Sequence, residues 1–341
     1  MAMNFYPGSL AEHLSETAGY KVGLALSVEE ICDHLAGEPK NMADIVRRSE
    51  VHGARLRSEE YEAIHYHLLY RIGYTEDVHD GLPPGIREYH KYKANPQLLA
   101  LNQELQQLFH RMVGGMIDEA LARGDKLLDP KPFLDRCRAE LSPVGLKMAY
   151  EIVLAWGNKL RSSPYMQGRC VEWASPLELK KLFTGTNQAP EEGNFIDQRY
   201  LDYLSNNTNR LQDMHWRKFE QMTAEYFERE GFRVEIGPGS NDDGVDVRLW
   251  KADSPLDAKP TCLVQCKRTK DKIEKVIIKG LAADVLFMEA DYGLIVTTST
   301  LSPGAEATIT ARGYPIQAVE HDAVTKWLQR LRTPGTGIVR V

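Results

Sequence analysis

The sequence predicts an α+β protein of two domains, an all-α N-terminal domain followed by an α/β core that closes the chain. Three observations carry this. The length, 341 residues, exceeds what one hydrophobic core usually organises. Residues 1 to about 190 show apolar stripes at three-four spacing and no β-alternation of any length. Beyond residue 214, strand-like and helical runs follow in the order α-β-β-β-α-β-α-β-α, an αβββαβ core with an additional helix and strand. The predicted boundaries are a helical domain at 1–190, a linker and bridging helix at 191–213, the α/β domain at 214–332 and a loosely held tail at 333–341.

In chain order, residues 24–35 and 42–51 are short helical candidates. Residues 58–72 form a stronger one, with Tyr61, Ile64, Leu68, Leu69 and Ile72 in a stripe. Gly81 to Gly85, with Pro83-Pro84 inside, breaks the chain. The longest helix spans 96–121, with Leu98, Leu101, Leu105, Leu108, Met112 and Met116 at three-four spacing, a stripe suited to an internal core or to a dimer seam. Helices at 131–141, 143–160 and 176–183 follow. Residues 185–194 are polar and broken, a linker, and 195–211 carry a bridging helix with Ile196, Tyr200, Tyr203 and Leu204.

The C-terminal core opens with a helix over 216–227, whose Phe219, Met222, Tyr226 and Phe227 face a sheet, with Glu220 at the edge of the stripe. Asp242-Asp243-Gly244 is a turn signal ahead of a strand in which Val245, Val247 and Leu249 alternate with Asp246 and Arg248. A polar loop with two prolines leads to Thr261–Lys267, where Leu263, Gln265 and Lys267 share one face. A helix over 273–288 turns Ile273, Val276, Ile277, Leu281 and Val285 inward. Residues 292–298 read as a central strand covered on both faces. Ser302-Pro303 starts a helix that ends at Gly313, and a strand at 315–319 and a helix at 323–331 complete the order.

If the two strands around the proline loop pair, an acid, an amide and an amine meet at one end of a small sheet. That set suits metal-assisted hydrolysis of a phosphodiester: Asp246 offers a hard oxygen ligand, Lys267 can hold or deprotonate an attacking water, and Gln265 can orient a hydration shell. A second carboxylate must come from elsewhere, and Glu220 is in reach, with Glu225 a rival. Singly, Asp246 also reads as a turn aspartate and Lys267 as a solvated lysine. Their joint order on these elements points to catalysis.

The helix bearing Phe219-Glu220, then Gly231-Phe232-Arg233-Val234, then Gly237 to Asp246, then Gln265-x-Lys267, resembles the Mrr-type branch of the PD-(D/E)xK nucleases. The resemblance covers about residues 216–331. It implies a restriction-endonuclease-like core, with Glu220 and Asp246 on a Mg²⁺ (or Mn²⁺) ion and the Cys266 backbone carbonyl as a further ligand. Gln265 stands where the family usually has its second acid, and Lys267 is the catalytic lysine. It further implies a double-stranded DNA substrate, a role in prokaryotic restriction or anti-phage defence alongside a partner protein, and a homo-oligomer. A junction-resolvase-like repair or recombination nuclease, or a nuclease fold that only binds DNA or a partner, are the alternatives.

The formal net charge of −6 looks wrong for a DNA binder, but its distribution matters. Residues 1–213 hold 24 Lys and Arg against 30 Asp and Glu, whereas 214–341 hold 18 of each. Beside the catalytic strand, Arg268, Lys270 and Lys272 form a basic cluster able to neutralise phosphates. The five cysteines (Cys32, Cys137, Cys170, Cys262, Cys266) show no metal or disulfide pattern, which suggests reduced thiols in a cytoplasm. No basic n-region with an apolar core opens the chain and no long apolar span follows, so secretion and membrane insertion are not expected. His65 and His67 point to different helix faces and make poor metal partners.

Overall fold

The structure, a computed structural model, describes residues 2–125, 128–165, 175–185, 195–239 and 244–333. The Asp242-Asp243 turn, Cys170, most of the expected linker (186–194) and the tail beyond 333 lie outside the described residues. The chain divides into two compact units, Met1–Pro176 and Leu177–Thr333. Among the described residues no helix is long and apolar enough to cross a membrane.

The N-terminal unit is mostly helical but not all-α. Ala2–Phe5 pairs antiparallel with Ala54–Arg57, a ribbon too short to leave an alternation that stands out in the sequence. Ser58–Arg71 buries the expected stripe, with Tyr61, Ile64, Leu68, Leu69 and Ile72 at most 1% exposed. The long helix, Pro96–Arg123, packs against Lys131–Glu140 and Pro143–Ser162. Its Leu105 and Met116 are buried together with Phe109, and Leu98, Leu101, Leu108 and Met112 rim the same cluster. The stripe is therefore core.

The C-terminal unit begins at Leu177, earlier than the start expected for the α/β domain at 214. The reason is apolar: Ile196, Tyr200, Leu201, Tyr203 and Leu204 are at most 2% exposed. The helix Gln198–Asn206 is tied to the end of the chain, Gln198 Nε2 donating to the Leu331 carbonyl and Gln329 Nε2 to that of Ser205, each at 3.0 Å. Where a helix was expected over 176–183, the helical turn is only Lys181–Thr184. Phe195 N–H donates to Glu225 Oε2 at 2.9 Å, so the supposed bridge is an integral layer of the domain.

The core follows as α1 (Trp216–Arg229), β1 (Phe232–Ile236), β2 (Val247–Lys251), β3 (Cys262–Lys267), α2 (Lys275–Phe287), β4 (Tyr292–Thr297), α3 (Pro303–Arg312), β5 (Ile316–Val319) and α4 (His321–Leu331). The five strands lie side by side in chain order. The first two pairings are antiparallel and the last two parallel, each parallel step spanned by a helix. Strands β3 and β4 are buried almost throughout because helices cover both faces. Leu263 joins the cluster of Ile278, Leu281 and Val285 from α2, while Cys266, on the alternate face, meets α1.

One side of α2 differs from expectation. The helix starts at Lys275, so Val276 is 70% exposed and Ile278 takes the inward position. Ile273 is still buried, held before the helix by backbone bonds to Thr300 and Ser302. α3 follows the expected caps: Ser302 Oγ accepts the Ala305 N–H at 3.2 Å, and Gly313 closes the helix at φ +60°.

Candidate active site

The hairpin of β2 and β3 forms in the register Val247↔Val264, and Asp246 N–H donates to the Val264 carbonyl at 3.0 Å. Asp246 and Gln265 are therefore next in line at that end. Asp246 is 8% exposed, and its Oδ2 accepts the Cys266 N–H at 2.6 Å. The carboxylate is thus fixed by the backbone of the strand that carries Gln265 and Lys267, the short distance expected of a charged acceptor.

Glu220 lies one turn into α1 and is 5% exposed, deeper than the edge position expected from the stripe. Arg217 Nη1 donates to Glu220 Oε2 and to the Gly237 carbonyl, both at 2.8 Å. Gly237 N–H in turn donates to the Asp246 carbonyl at 2.8 Å. The Arg217 guanidinium and the backbone of Gly237 therefore link the Glu220 carboxylate to the backbone of Asp246. The rival Glu225 is occupied structurally, accepting from Arg229 Nε and Nη2 at 2.9 and 2.7 Å and from Phe195 N–H.

The Cys266 thiol reports the field between them. Burial pushes it well above the usual thiol range, and the carboxylates of Asp246 and Glu220 push the same way. A hydrogen bond with Thr223 and the charge of Lys267 oppose them. Thr223 stands three residues after Glu220, on the same side of α1. The carboxylates of Asp246 and Glu220 thus both act on the Cys266 thiol.

Gln265 is 9% exposed, and among the described residues its Oε1 has no hydrogen-bond partner. A buried amide oxygen left bare needs an explanation, and a role in holding a ligand supplies one. Its Nε2 lies beside Gly244, at φ +84°, where a Cβ would stand 2.8 Å from that nitrogen. Strand alternation puts Gln265 and Lys267 opposite Cys266, so they reach the end of the sheet from the α2 side. The Lys267 carbonyl accepts from Thr297 Oγ1 at 2.8 Å, which pins the strand end to β4.

Among the described residues no group of three or more His, Cys, Asp or Glu side chains is placed to hold a metal ion. What the site offers a cation is two buried carboxylates, a bare amide oxygen and the Cys266 peptide. This all-oxygen set fits Mg²⁺, which takes one or two protein carboxylates and fills its remaining positions with water and phosphate.

The basic cluster is only partly available. Arg268 Nη1 donates to the Gln212 carbonyl at 2.7 Å and Lys270 lies 4.0 Å from Asp213, while Lys272 is exposed. The sequence reading missed Arg217 and Thr223. Arg217 was findable, because Arg-x-x-Glu on a helix brings the two side chains together. Thr223 was not, because nothing in its spacing says that it touches Cys266.

Residues 211–328 match the Mrr_cat family, described as a restriction endonuclease. An uncharacterized protein of Sinorhizobium fredii, y4cE, is 28% identical over 118 residues, which are 31% of this chain and 27% of that protein. The match therefore spans about a quarter of the relative's length. Among solved structures, the MspJI restriction endonuclease in complex with a 27-mer oligonucleotide is 17% identical, covering 59% of this chain and 46% of that one. Its TM-score, 0.28, is too low to define a shared fold. The C-terminal third of the chain thus carries a restriction endonuclease domain of the Mrr_cat family.

Proposed function

We propose that the C-terminal domain is a Mg²⁺- or Mn²⁺-dependent endonuclease that hydrolyses phosphodiester bonds of double-stranded DNA, in prokaryotic restriction or anti-phage defence. The observation that carries this reading is Asp246. It is locked onto the Cys266 peptide at the head of Gln265-x-Lys267 and linked through Gly237 and Arg217 to buried Glu220.

Glu220, Asp246, the Gln265 amide oxygen and the Cys266 carbonyl would hold the cation. When bound, it supplies Lewis-acid polarisation of the phosphate and a lowered pKa for a coordinated water. Lys267 holds the attacking water in line and neutralises charge on the phosphate. Asp246 sets the distance of these groups from the strand, and Lys272, with Arg268 and Lys270 once drawn from Gln212 and Asp213, meets the DNA backbone. The two units act together as nuclease and sensor or recognition domain, in a homo-oligomer.

The test is plasmid digestion with Mg²⁺ or Mn²⁺, on modified, unmodified and branched DNA. Asp246→Asn is expected to slow cleavage by on the order of 10²–10³-fold while still binding DNA. A second reading, a nuclease fold that binds DNA without cutting, draws on the guanidinium of Arg217, which neutralises Glu220 where a cation is needed. A wild type inert on every substrate with both metals, yet binding DNA, favours that reading.

A further inference from the structure

The ribbon of the N-terminal unit carries a site unrelated to the acids described above. In its register Asn4 faces Arg55 and Phe5 faces Ala54. Alternation turns Phe5 inward, its ring 5.7 Å from Tyr61 and 5.9 Å from His13, and leaves Asn4, Tyr6 and Arg55 outward. Tyr6 is 83% exposed.

At the end of the opposite strand, Gly53 sits at φ +69°, and a Cβ there would stand 2.5 Å from the Phe5 carbonyl oxygen. Only glycine allows this approach, which brings the Phe5–Pro7 backbone into contact with the turn at Gly53 beside Tyr6. A cavity of about 340 Å³ opens there, lined by Asn4, Tyr6, His52, Gly53 and Arg55 among others. That is within the size range of small-ligand sites.

Its polar groups are uncommitted. The neighbouring Arg47 and Arg57 pair with Asp44 and Glu60. Among the described residues, the side chains of Arg55, Asn4 and His52 have no hydrogen-bond or ion-pair partner. An exposed aromatic ring, a free guanidinium fork, an amide and an imidazole around one hollow suit a planar, hydrogen-bonding, anionic ligand. Tyrosine stacks on a base face, arginine grips a phosphate in bidentate fashion, and an amide reads a base edge.

We propose that this hollow binds one nucleotide unit, with the base stacked on Tyr6, the phosphate on Arg55, and Asn4 and His52 at the base edge. The unit is either a free mononucleotide or one nucleotide of a single-stranded segment. The inference holds whether or not the C-terminal domain cleaves.

The test is calorimetric titration of the full chain in a metal chelator, so that no probe is cut, using AMP, a short single-stranded oligonucleotide and inorganic phosphate. Tyr6→Ala and Arg55→Gln are each expected to weaken binding about tenfold, while Val51→Ser, exposed but outside the cavity lining, leaves it unchanged. Loss seen with AMP identifies a free nucleotide; loss seen only with the oligonucleotide identifies a strand. Both side chains are exposed, so the variants keep the wild-type melting temperature. The proposal is overturned if neither AMP nor the oligonucleotide binds, or if both variants stay within about twofold of wild type. It is also overturned if phosphate displaces the nucleotide as well as AMP does.

Discussion

At the scale of single residues, the acids of the nuclease domain are held in place by their hydrogen-bond partners. Arg217 is the informative one. Glu220 is 6% exposed at its side chain, so removing the guanidinium takes a close ion-pair partner from a buried carboxylate. Arg217→Ala should cost about 3–5 kcal/mol in metal-free buffer. If Glu220 is a ligand, Mg²⁺ or Mn²⁺ should restore part of that stability by binding the folded state, read as a melting-temperature rise larger than in wild type. Equal shifts in both would remove Glu220 from the metal.

His65 gives a second residue-scale prediction. Its ring is enclosed between the Ser162 carbonyl at 3.1 Å and Thr17 Oγ1 at 3.3 Å, and burial, then Lys21, lowers its pKa from 6.5 to about 3. Between those values the unfolded chain binds the proton and the folded chain does not, so stability falls as pH drops below 6.5, by up to about 1.4 kcal/mol per unit. Urea unfolding at pH 7 and pH 5 should show a smaller difference in His65→Gln than in wild type.

At the scale of elements, β4 is the strand that runs parallel to both its neighbours, and it is packed without slack. A Cβ at Gly293 would come within 2.6 Å of Ile316 Cδ1 and 2.9 Å of Leu281 Cγ and Val285 Cγ2. Gly293→Ala should therefore destabilise the domain by about 1–3 kcal/mol in denaturant titration, with the fold retained. Most strands and helices after residue 214 were legible because turn, proline and glycine signals bound them, and Ser302-Pro303 and Gly313 mark the ends of α3. The Ala2–Phe5/Ala54–Arg57 ribbon was not, because four residues on each strand show too little alternation. The inward side of α2 was misjudged at Val276 because the helix, apolar nearly all round, gives no unique face. Asp246, Gln265 and Lys267 could be picked out from order alone. The link from Asp246 through Gly237 and Arg217 to Glu220 depends on a loop approaching a helix, which spacing does not encode.

At the scale of the whole molecule, the division at Pro176 makes 177–213 part of the nuclease domain. The pair Asp197–Arg199, bidentate and almost fully buried, lies in that layer. A fragment of residues 177–333 should unfold in one cooperative transition, whereas 214–333, stripped of Ile196, Tyr200, Leu201, Tyr203 and Leu204, should not fold; calorimetry distinguishes them. The central claim is that the restriction endonuclease domain cuts DNA through Asp246 and Lys267. The most direct measurement is single-turnover cleavage of plasmid DNA with Mg²⁺ by wild type, Asp246→Asn and Lys267→Ala. The account predicts cleavage by wild type and its loss in both variants with DNA binding retained, and variants cutting at the wild-type rate would contradict it.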